Sequence, residues 1–378
     1  MSSENRIKDN VPVPQAITEK QHKSKRNHQG IPGIEVLPSG RMFATYYANE
    51  YAGEGSGNYA ILAVCGSDNE WREIQIIVPP ADDLRVFDPS LWLDPIGSLW
   101  WCFNLSYTTE THKIYDGRGG VFGCVCRNPE CDFPVWEQPV FIGDGVMMNK
   151  PSVLKSGEWV FPCAVWNEST ELMTDELKAV SGANFCITTD GGRTFKFIQG
   201  PDIPERSFDE HTLIEKQNGD WWCCVRTSYG IGESFSSDSG STWSTGKDSG
   251  LGAVCSRFVI RRLKSGKLLL ITHLANFRLP GEVKCNTERR KNLTAYLSGD
   301  DGKSWYGALT FDNRCNISYP DISEGADGFI YCIYDRERLK YGQILLSRFT
   351  EDDIKNGEMN TPGAYSMLLI SSFDAVRK

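Results

Sequence analysis

Short apolar runs alternate with polar, glycine-containing turns along most of the chain. Six segments share one form, in which a turn ends in glycine and an apolar, often aromatic run follows directly. Each run indicates a buried strand, and the short apolar run before each turn indicates its antiparallel partner. The segments are PSGRMFATYY, PIGSLWWCF, KSGEWVFPC, QNGDWWCCV, KSGKLLLIT and ADGFIYCIY. Their glycines, 47 to 62 residues apart, are Gly40, Gly97, Gly157, Gly219, Gly266 and Gly328. The pattern predicts six similar units, each built on a strand, a tight turn and a second strand.

A second repeat has the form Asp, any residue, Gly, any residue, Ser or Thr, then a large aromatic residue. It occurs in TTDGGRTF (188–195), SFSSDSGSTWS (234–244) and SGDDGKSW (298–305). One such stretch alone would fit a flexible linker, but a linker has no reason to recur at matching points. We expect the Asp to accept hydrogen bonds from the turn's amides, the Gly to be left-handed and the aromatic ring to pack between sheets.

Helical periodicity is nearly absent, and Pro and Gly interrupt the chain at short intervals, which is typical of an all-β protein. Units of this length with several strands each indicate a β-propeller. The sequence therefore predicts a six-bladed β-propeller of four-stranded antiparallel blades. We expect residues 1–28 to form a polar tail and residues 29–378 to form a single propeller domain, with an N-terminal strand completing the last blade.

The formal net charge of the 378-residue chain, −9, disfavours nucleic-acid or anionic-membrane partners, and an acidic ligand would need a locally basic pocket. No signal peptide or membrane span is visible in the sequence, so we expect a cytoplasmic protein. The 13 Cys are scattered and fit reduced thiols. Cys124, Cys126 and Cys131 resemble part of a zinc site, but no second cluster completes a ligand set. Neither a cofactor nor a catalytic metal is implied, and the oligomeric state stays open.

Polar clusters adjoin several predicted strands, among them RVFDP, YDGRGG, MMNKP, FDEH and YDRER. A single cluster would fit an ordinary surface ion pair, whereas repetition in successive units favours convergence on one mouth of the propeller channel. In YDRER, Asp335 and Arg336 fit a structural ion pair as well as they fit a role in the site. The candidate substrate-binding residues in these clusters are Arg85, Asp88, Asp116, Arg118, Asn149, Lys150, Asp209 and His211.

The Asp-box turns, the six units and the order of the clusters resemble the sialidase (neuraminidase) superfamily, from about Gly30 to Thr350. DEHTLIEKQNGDWWCCVRT resembles the family segment in which a glutamate precedes a strand, a turn and a strand ending in arginine. RRKNLTAYLSGDDGKSW resembles the segment with a further carboxylate-binding arginine, and SYPDI resembles the one with the catalytic tyrosine. The positions matched in this sequence are Glu210, Arg226, Arg290 and Tyr319.

This resemblance implies a tyrosine nucleophile, Tyr319, activated by Glu210. Sialic acid carries a carboxylate at its anomeric carbon, which would repel a carboxylate nucleophile, whereas a phenol is neutral on approach. A free phenol has a pKa of about 10, so it needs a base. The resemblance further implies that Arg226 and Arg290 hold the sugar carboxylate through forked hydrogen bonds, and that His211 is a hydrogen-bonding neighbour.

Two departures from the family pattern concern the first unit. The family opens with Arg-Ile-Pro, whereas this chain has Gly30 in place of the arginine. Arg85, Arg118 or Lys150 are the candidates to replace it. The loop after the first hairpin, NEYAGEGSGNYAILAV, lacks the expected acid/base aspartate. Glu54 or Glu50 is the nearest substitute, and Asp88, Asp116 and Asp209 are candidates from neighbouring units.

We therefore predict a sialidase-type glycoside hydrolase that acts on the terminal acidic sugar of a glycan. Retention and inversion both stay open. The alternatives are a glycosidase or lyase acting on a uronate- or rhamnose-containing glycan with the same fold, and a non-catalytic glycan-binding propeller.

Overall fold

The predicted fold is confirmed, because the computed structural model consists of six antiparallel sheets. The structure describes residues 7–8, 10–66, 68–110, 115, 117–166, 172–273 and 290–373. Five sheets have four strands, and the first has a fifth, very short strand at its edge. Each sheet is built from consecutive segments of the chain and forms one blade.

The strands follow the order of the blades. Blades 1 and 2 contain β1 (Gln15–Ala16), β2 (His28–Val36), β3 (Met42–Asn49), β4 (Tyr59–Cys65), β5 (Trp71–Ile77), β6 (Leu84–Leu93), β7 (Leu99–Tyr107), β8 (Gly119–Cys126) and β9 (Val140–Asp144). Blades 3 and 4 contain β10 (Ser152–Val153), β11 (Trp159–Val165), β12 (Gly182–Thr188), β13 (Lys196–Ile198), β14 (Arg206–Glu215), β15 (Trp221–Thr227), β16 (Gly230–Ser236) and β17 (Lys247–Asp248). Blades 5 and 6 contain β18 (Val259–Arg262), β19 (Leu268–His273), β20 (Leu293–Ser298), β21 (Tyr306–Asp312), β22 (Ile317–Glu324), β23 (Ile330–Arg336), β24 (Gln343–Phe349) and β25 (Tyr365–Ser371).

Short helices lie outside the blades. Two α-helices, α1 (Asp175–Ala179) and α2 (Glu351–Asn356), and two 3-10 turns, Glu19–Gln21 and Lys23–Lys25, lie wholly within the described part of the chain, and residues 7–8 are also helical. Thr350 caps the start of α2 by accepting from the Asp353 amide, while the Asp353 carboxylate accepts from the Thr350 amide. None of the helices among the described residues has the length and hydrophobicity that a membrane span requires.

The ring is closed differently from our expectation. Blade 6 takes all four strands, β22 to β25, from the C-terminal part of the chain, so the prediction that an N-terminal strand completes it is wrong. Part of the predicted tail instead forms β1, which pairs with β5 at the outer edge of blade 1. Apolar packing between blades 1 and 6, with Ile34 and Ile61 against Ile333 and Leu346, joins the two ends of the ring.

The first strand of each blade is the inner one, and β2 contacts both β6 and β22. Buried apolar clusters lie between successive blades. Trp101 and Phe122 of blade 2, for example, pack with Phe43 and Leu62 of blade 1. Each blade therefore buries both faces of its sheet, which explains why the strands contain nearly continuous apolar runs.

Both turn repeats adopt the predicted geometry. The six glycines of the first repeat, which join the first two strands of each blade, have φ between 79° and 92°. In the second repeat, Asp238 accepts from the amide and hydroxyl of Thr242 at 2.8 and 2.6 Å, and Gly240 has a φ of 82°. Trp243 packs against the cluster between blades 3 and 4. SFSSDSGSTWS is therefore a structural turn between β16 and β17.

Candidate active site

Four inner strands carry an irregularity at the same end of the propeller. The pairing register shifts between Gly30 and Gly33 in β2, and similar shifts interrupt β6, β14 and β22. Left-handed backbone at these shifts includes Ile31, Asp88, Phe208 and Tyr319, with φ of 53°, 43°, 55° and 55°. Such a conformation costs a bulky residue about 1–3 kcal/mol, and bulges redirect side chains. The strain therefore accompanies a cluster of side chains from several blades.

Tyr319 and Glu210 meet at this cluster. The Tyr319 hydroxyl donates to Glu210 Oε1 at 3.2 Å, and Arg226 Nη1 lies 2.5 Å from the same carboxylate oxygen. Arg226 Nη1 also donates to the Tyr319 hydroxyl at 3.3 Å. All three side chains are buried, and no described residue donates a hydrogen bond to Glu210 Oε2. The resulting unit is a phenol beside a carboxylate, both in contact with one guanidinium group.

The Tyr319 phenol is strongly held in its neutral form. Burial and the negative charge of Glu210 raise the pKa of Tyr319 to about 12, although Arg226, Arg290 and Arg338 oppose the shift. The phenol therefore needs a base at the moment of reaction, and the Glu210 oxygen already accepts its hydrogen bond.

Two further guanidinium groups flank the Tyr319 ring. The Cζ atoms of Arg290 and Arg338 lie 5.3 and 4.9 Å from the ring centroid. Arg290 was predicted from its segment, whereas Arg338 was not among the predicted site residues. The available signal was the YDRER cluster, because blade 6 lies next to blade 1 in the closed ring. Three arginines from three blades thus surround the phenol.

Glu54 lies in the first-blade loop, as the sequence suggested, but it is ion-paired. Its carboxylate oxygens lie 3.1 Å from Arg338 Nη1 and 3.4 Å from Arg85 Nη2. Burial raises the pKa of Glu54, but the two arginines outweigh burial and lower it to about 2. Glu54 is therefore ionised at neutral pH, and one of its two partners, Arg85, is fully buried.

A pocket of about 430 Å³ opens beside this cluster. Its lining residues include two arginines, Arg290 and Arg338, and two glutamates, Glu54 and Glu337. The volume suits one sugar ring of the size of a sialic acid, and the two guanidinium groups are the partners that a carboxylate on the ligand requires.

Asp88, Asp209 and His211 are all buried near the bulged strands. Burial raises the pKa of Asp88 to about 8; Glu54 and Glu210 act in the same direction and Arg85 opposes them. Asp209 pairs with Arg206 at 3.4 Å. The His211 ring nitrogens lie 2.7 and 2.6 Å from the carbonyl oxygens of Asp209 and Asn184, so the ring is engaged with the backbone.

Asn149 and Lys150 belong to a buried network between blades. Lys150 Nζ lies 2.8 Å from Glu35 and 3.5 Å from Asp321, and Asn149 accepts from Arg257 at 2.9 Å. These contacts join segments of blades 1, 3, 5 and 6, which indicates a structural role.

Arg118 lies against the Tyr107 ring, with Cζ 4.3 Å from its centroid, and lines a separate pocket with Phe141 and Asp144. The structure thus does not bring Arg118 or Lys150 to the Tyr319 cluster. Asp116 lies outside the described residues.

Comparison with known families decides the classification of this propeller. Residues 40–332, well over half of the chain, match the BNR repeat-like domain family. The chain belongs to the BNR repeat-like domain family. The predicted resemblance to Asp-box propellers is thereby confirmed at the level of family and fold. No curated protein matches this BNR repeat-like protein in sequence.

Solved structures with the same fold include sialidases. The Hadza microbial sialidase Hz136 has a TM-score of 0.60 at 15% identity, over 81% of this chain and 63% of that one. An intramolecular trans-sialidase from Ruminococcus gnavus, solved with oseltamivir carboxylate, has a TM-score of 0.60 at 14% identity, over 90% of this chain and 98% of that one. A protein of unknown function from Dyadobacter fermentans has a TM-score of 0.60 at 13% identity, over 95% and 96% of the two chains. This BNR repeat-like protein spans less than two thirds of Hz136, and these identities establish the shared fold alone.

Proposed function

We propose that this protein is an exo-acting glycosidase of the sialidase type, which removes a terminal acidic sugar, most simply a sialic acid, from a glycan. The observation that carries the proposal is the contact of Tyr319 with Glu210 and with the guanidinium groups of Arg226, Arg290 and Arg338. The names of the structural neighbours, sialidases and an intramolecular trans-sialidase, support the same reaction class.

Substrate binding follows from the local charge. Arg226, Arg290 and Arg338 carry three positive charges around Tyr319, and the carboxylates of Glu210, Glu54 and Asp335 contact them. Buried Arg85, beside Glu54, adds a fourth positive charge, so four guanidinium groups accompany three carboxylates in a chain of net charge −9. Guanidinium groups bind a carboxylate through paired, charge-assisted hydrogen bonds. We therefore assign the sugar carboxylate to Arg226 and Arg290, which contact Tyr319.

The chemical step uses the Tyr319 phenol as the nucleophile. Its oxygen forms a bond to the anomeric carbon while Glu210 takes the phenolic proton and the glycosidic carbon–oxygen bond breaks. Water then attacks the same carbon and gives a proton to the carboxylate that protonated the leaving oxygen, while the phenolate leaves and recovers its own proton from Glu210. Because the phenol is uncharged until the proton moves, it approaches the anionic sugar without charge repulsion.

The leaving oxygen needs a proton donor, for which the sequence offered Glu54 and Asp88 among other residues. Glu54 is ionised at neutral pH because two arginines stabilise its charge. Asp88, with a pKa of about 8, carries its proton at pH 7. Of these two residues, Asp88 is therefore the one in the protonation state that a proton donor requires, and Glu54 has the role of positioning Arg338.

The test is hydrolysis of a fluorogenic sialoside by the wild type, Tyr319→Phe and Glu210→Gln. Tyr331→Phe is the matched control, because Tyr331 lies in the same blade and donates to Asp327 at 2.8 Å. We expect each site variant to lose at least about a hundredfold in kcat/KM and the control to keep the wild-type value. Equal rates for all four proteins would refute the mechanism. A wild type that binds but hydrolyses neither sialosides nor other acidic glycosides would instead be a glycan-binding propeller.

A further inference from the structure

Gly30 and Arg338 occupy adjoining space at the junction of blades 1 and 6. A Cβ atom added at Gly30 would lie 2.3 Å from Cδ and 2.5 Å from Cγ of Arg338, and 2.9 Å from Asp335 Oδ2. The φ of Gly30 lies outside the left-handed region, so its backbone would accept other residues. Glycine is therefore needed at this position for space alone.

The Arg338 side chain is fixed by partners from both blades. Its Nε lies 3.7 Å from Asp335 Oδ2, and that oxygen accepts from the Ile31 amide at 2.8 Å. The other oxygen of Asp335 accepts from the Ser318 hydroxyl at 2.7 Å. Asp335 thus ties Arg338 to β2 and β22, the two inner strands that meet at this junction. The remaining ion pair, with Glu54, orients the guanidinium group beside the pocket.

A side chain extending from position 30 would start in the space that Arg338 fills. An arginine at position 30 and the observed Arg338 side chain are therefore mutually exclusive. Of the residues that the sequence offered as substitutes, Lys150 is held by Glu35 and Asp321 and Arg118 lines a different pocket. Arg85 stacks on Phe87, with Cζ 3.9 Å from the ring centroid, pairs with Glu54 at 3.4 Å and does not line the pocket.

We propose that Arg338, reaching across from the last blade, is the third carboxylate-binding arginine, and that Gly30 is the space this relocation requires. The inference rests on the proposed function, since it presumes an acidic sugar in the pocket. It assigns a binding role to a residue outside the sequence pattern that identified Arg226 and Arg290. It also gives a physical reason for the absence of arginine at position 30.

The first test measures binding of N-acetylneuraminic acid and of its uncharged methyl ester by titration calorimetry. Arg338→Ala is expected to weaken binding of the acid at least tenfold and of the ester less than twofold. Arg348→Ala is the matched control, because Arg348 also lies in blade 6, pairs with Asp327 at 2.8 Å and stacks on Phe329. Equal weakening of acid and ester by Arg338→Ala would overturn the inference. A wild type that binds both compounds equally would instead refute the proposed function.

The second test exchanges the two positions. Gly30→Arg alone should reduce the preference for the acid over the ester, because the two arginine side chains overlap and neither can take its binding position. Arg338→Gly alone should lose it because the charge is gone. The double variant, Gly30→Arg with Arg338→Gly, should regain at least threefold of the preference relative to Arg338→Gly. A folded double variant with no gain contradicts the mutual exclusion, and circular dichroism establishes folding. If the exchange prevents folding, Gly30→Ala with intact Arg338 is the deciding variant. Its added Cβ atom overlaps Arg338, so it too must reduce the preference for the acid over the ester.

Discussion

The pair formed by Arg226 and Glu210 makes a strong prediction about stability. The two side chains are 2% and 1% exposed, and their closest atoms are 2.5 Å apart. Arg226→Met keeps a similar length of side chain but leaves the Glu210 carboxylate buried without its counter-ion. Breaking a buried ion pair from one side costs about 3–5 kcal/mol in the free energy of unfolding. We expect a loss of this size.

The control is Arg127→Met, which removes an exposed pair with Glu137 of comparable geometry, at 2.9 Å, with both side chains about half exposed. Exposed pairs contribute at most about 1 kcal/mol. Urea unfolding of both variants gives the comparison directly. The double variant Arg226→Met with Glu210→Gln should recover at least about 2 kcal/mol, because no charge is left unpaired. A loss in Arg226→Met no larger than in Arg127→Met would refute the reasoning.

Two further predictions concern pH. Asp88 has a pKa of about 8 in the folded protein and about 4 in an unfolded chain, so its contribution to stability falls by up to about 1.4 kcal/mol per pH unit between pH 4 and pH 8. In urea unfolding, Asp88→Asn should therefore stabilise the protein more at pH 8 than at pH 5. An equal effect at the two pH values would contradict the raised pKa of Asp88. Hydrogen bonds from Thr242 lower the pKa of Asp238 to about 2, so the stabilisation that Asp238 gives to the protein is complete above about pH 4 and is lost as the pH falls towards 2. Asp238→Ala should therefore lower the thermal midpoint at pH 7, lower it less at pH 3, and leave KM unchanged. A change in KM would contradict a purely structural role for this turn.

The fold was predictable because its signal is local. Each tight turn needs a left-handed glycine, as Gly40 and Gly219 show with φ of 89° and 92°. Because every blade has such a turn, the glycine recurs in the sequence once per blade. Closure of the ring has no such signal. Whether β1 pairs with β5 or completes the last blade depends on edge contacts between distant segments, which the residues Gln15–Ala16 do not specify.

The site was predictable only where a residue keeps its place along the chain. Glu210, Arg226, Arg290 and Tyr319 come together from the segments that the resemblance identified. Arg338 could not be found in that way, because it lies far from Gly30 along the chain and comes next to Gly30 only in the folded structure. Charge at a strand end is also ambiguous, since Lys150 turns towards the buried network between blades.

The most direct test of the central claim is to trap the sugar on the protein. In 2,3-difluorosialic acid the fluoride at the anomeric carbon leaves readily, while the second fluorine slows the loss of the sugar by destabilising positive charge at that carbon. Mass spectrometry of the intact wild type should show one added fluorosialyl group, and peptide mapping should assign it to Tyr319, with none on Tyr319→Phe. An active enzyme that carries the label on another residue would contradict the assignment of Tyr319 as the nucleophile.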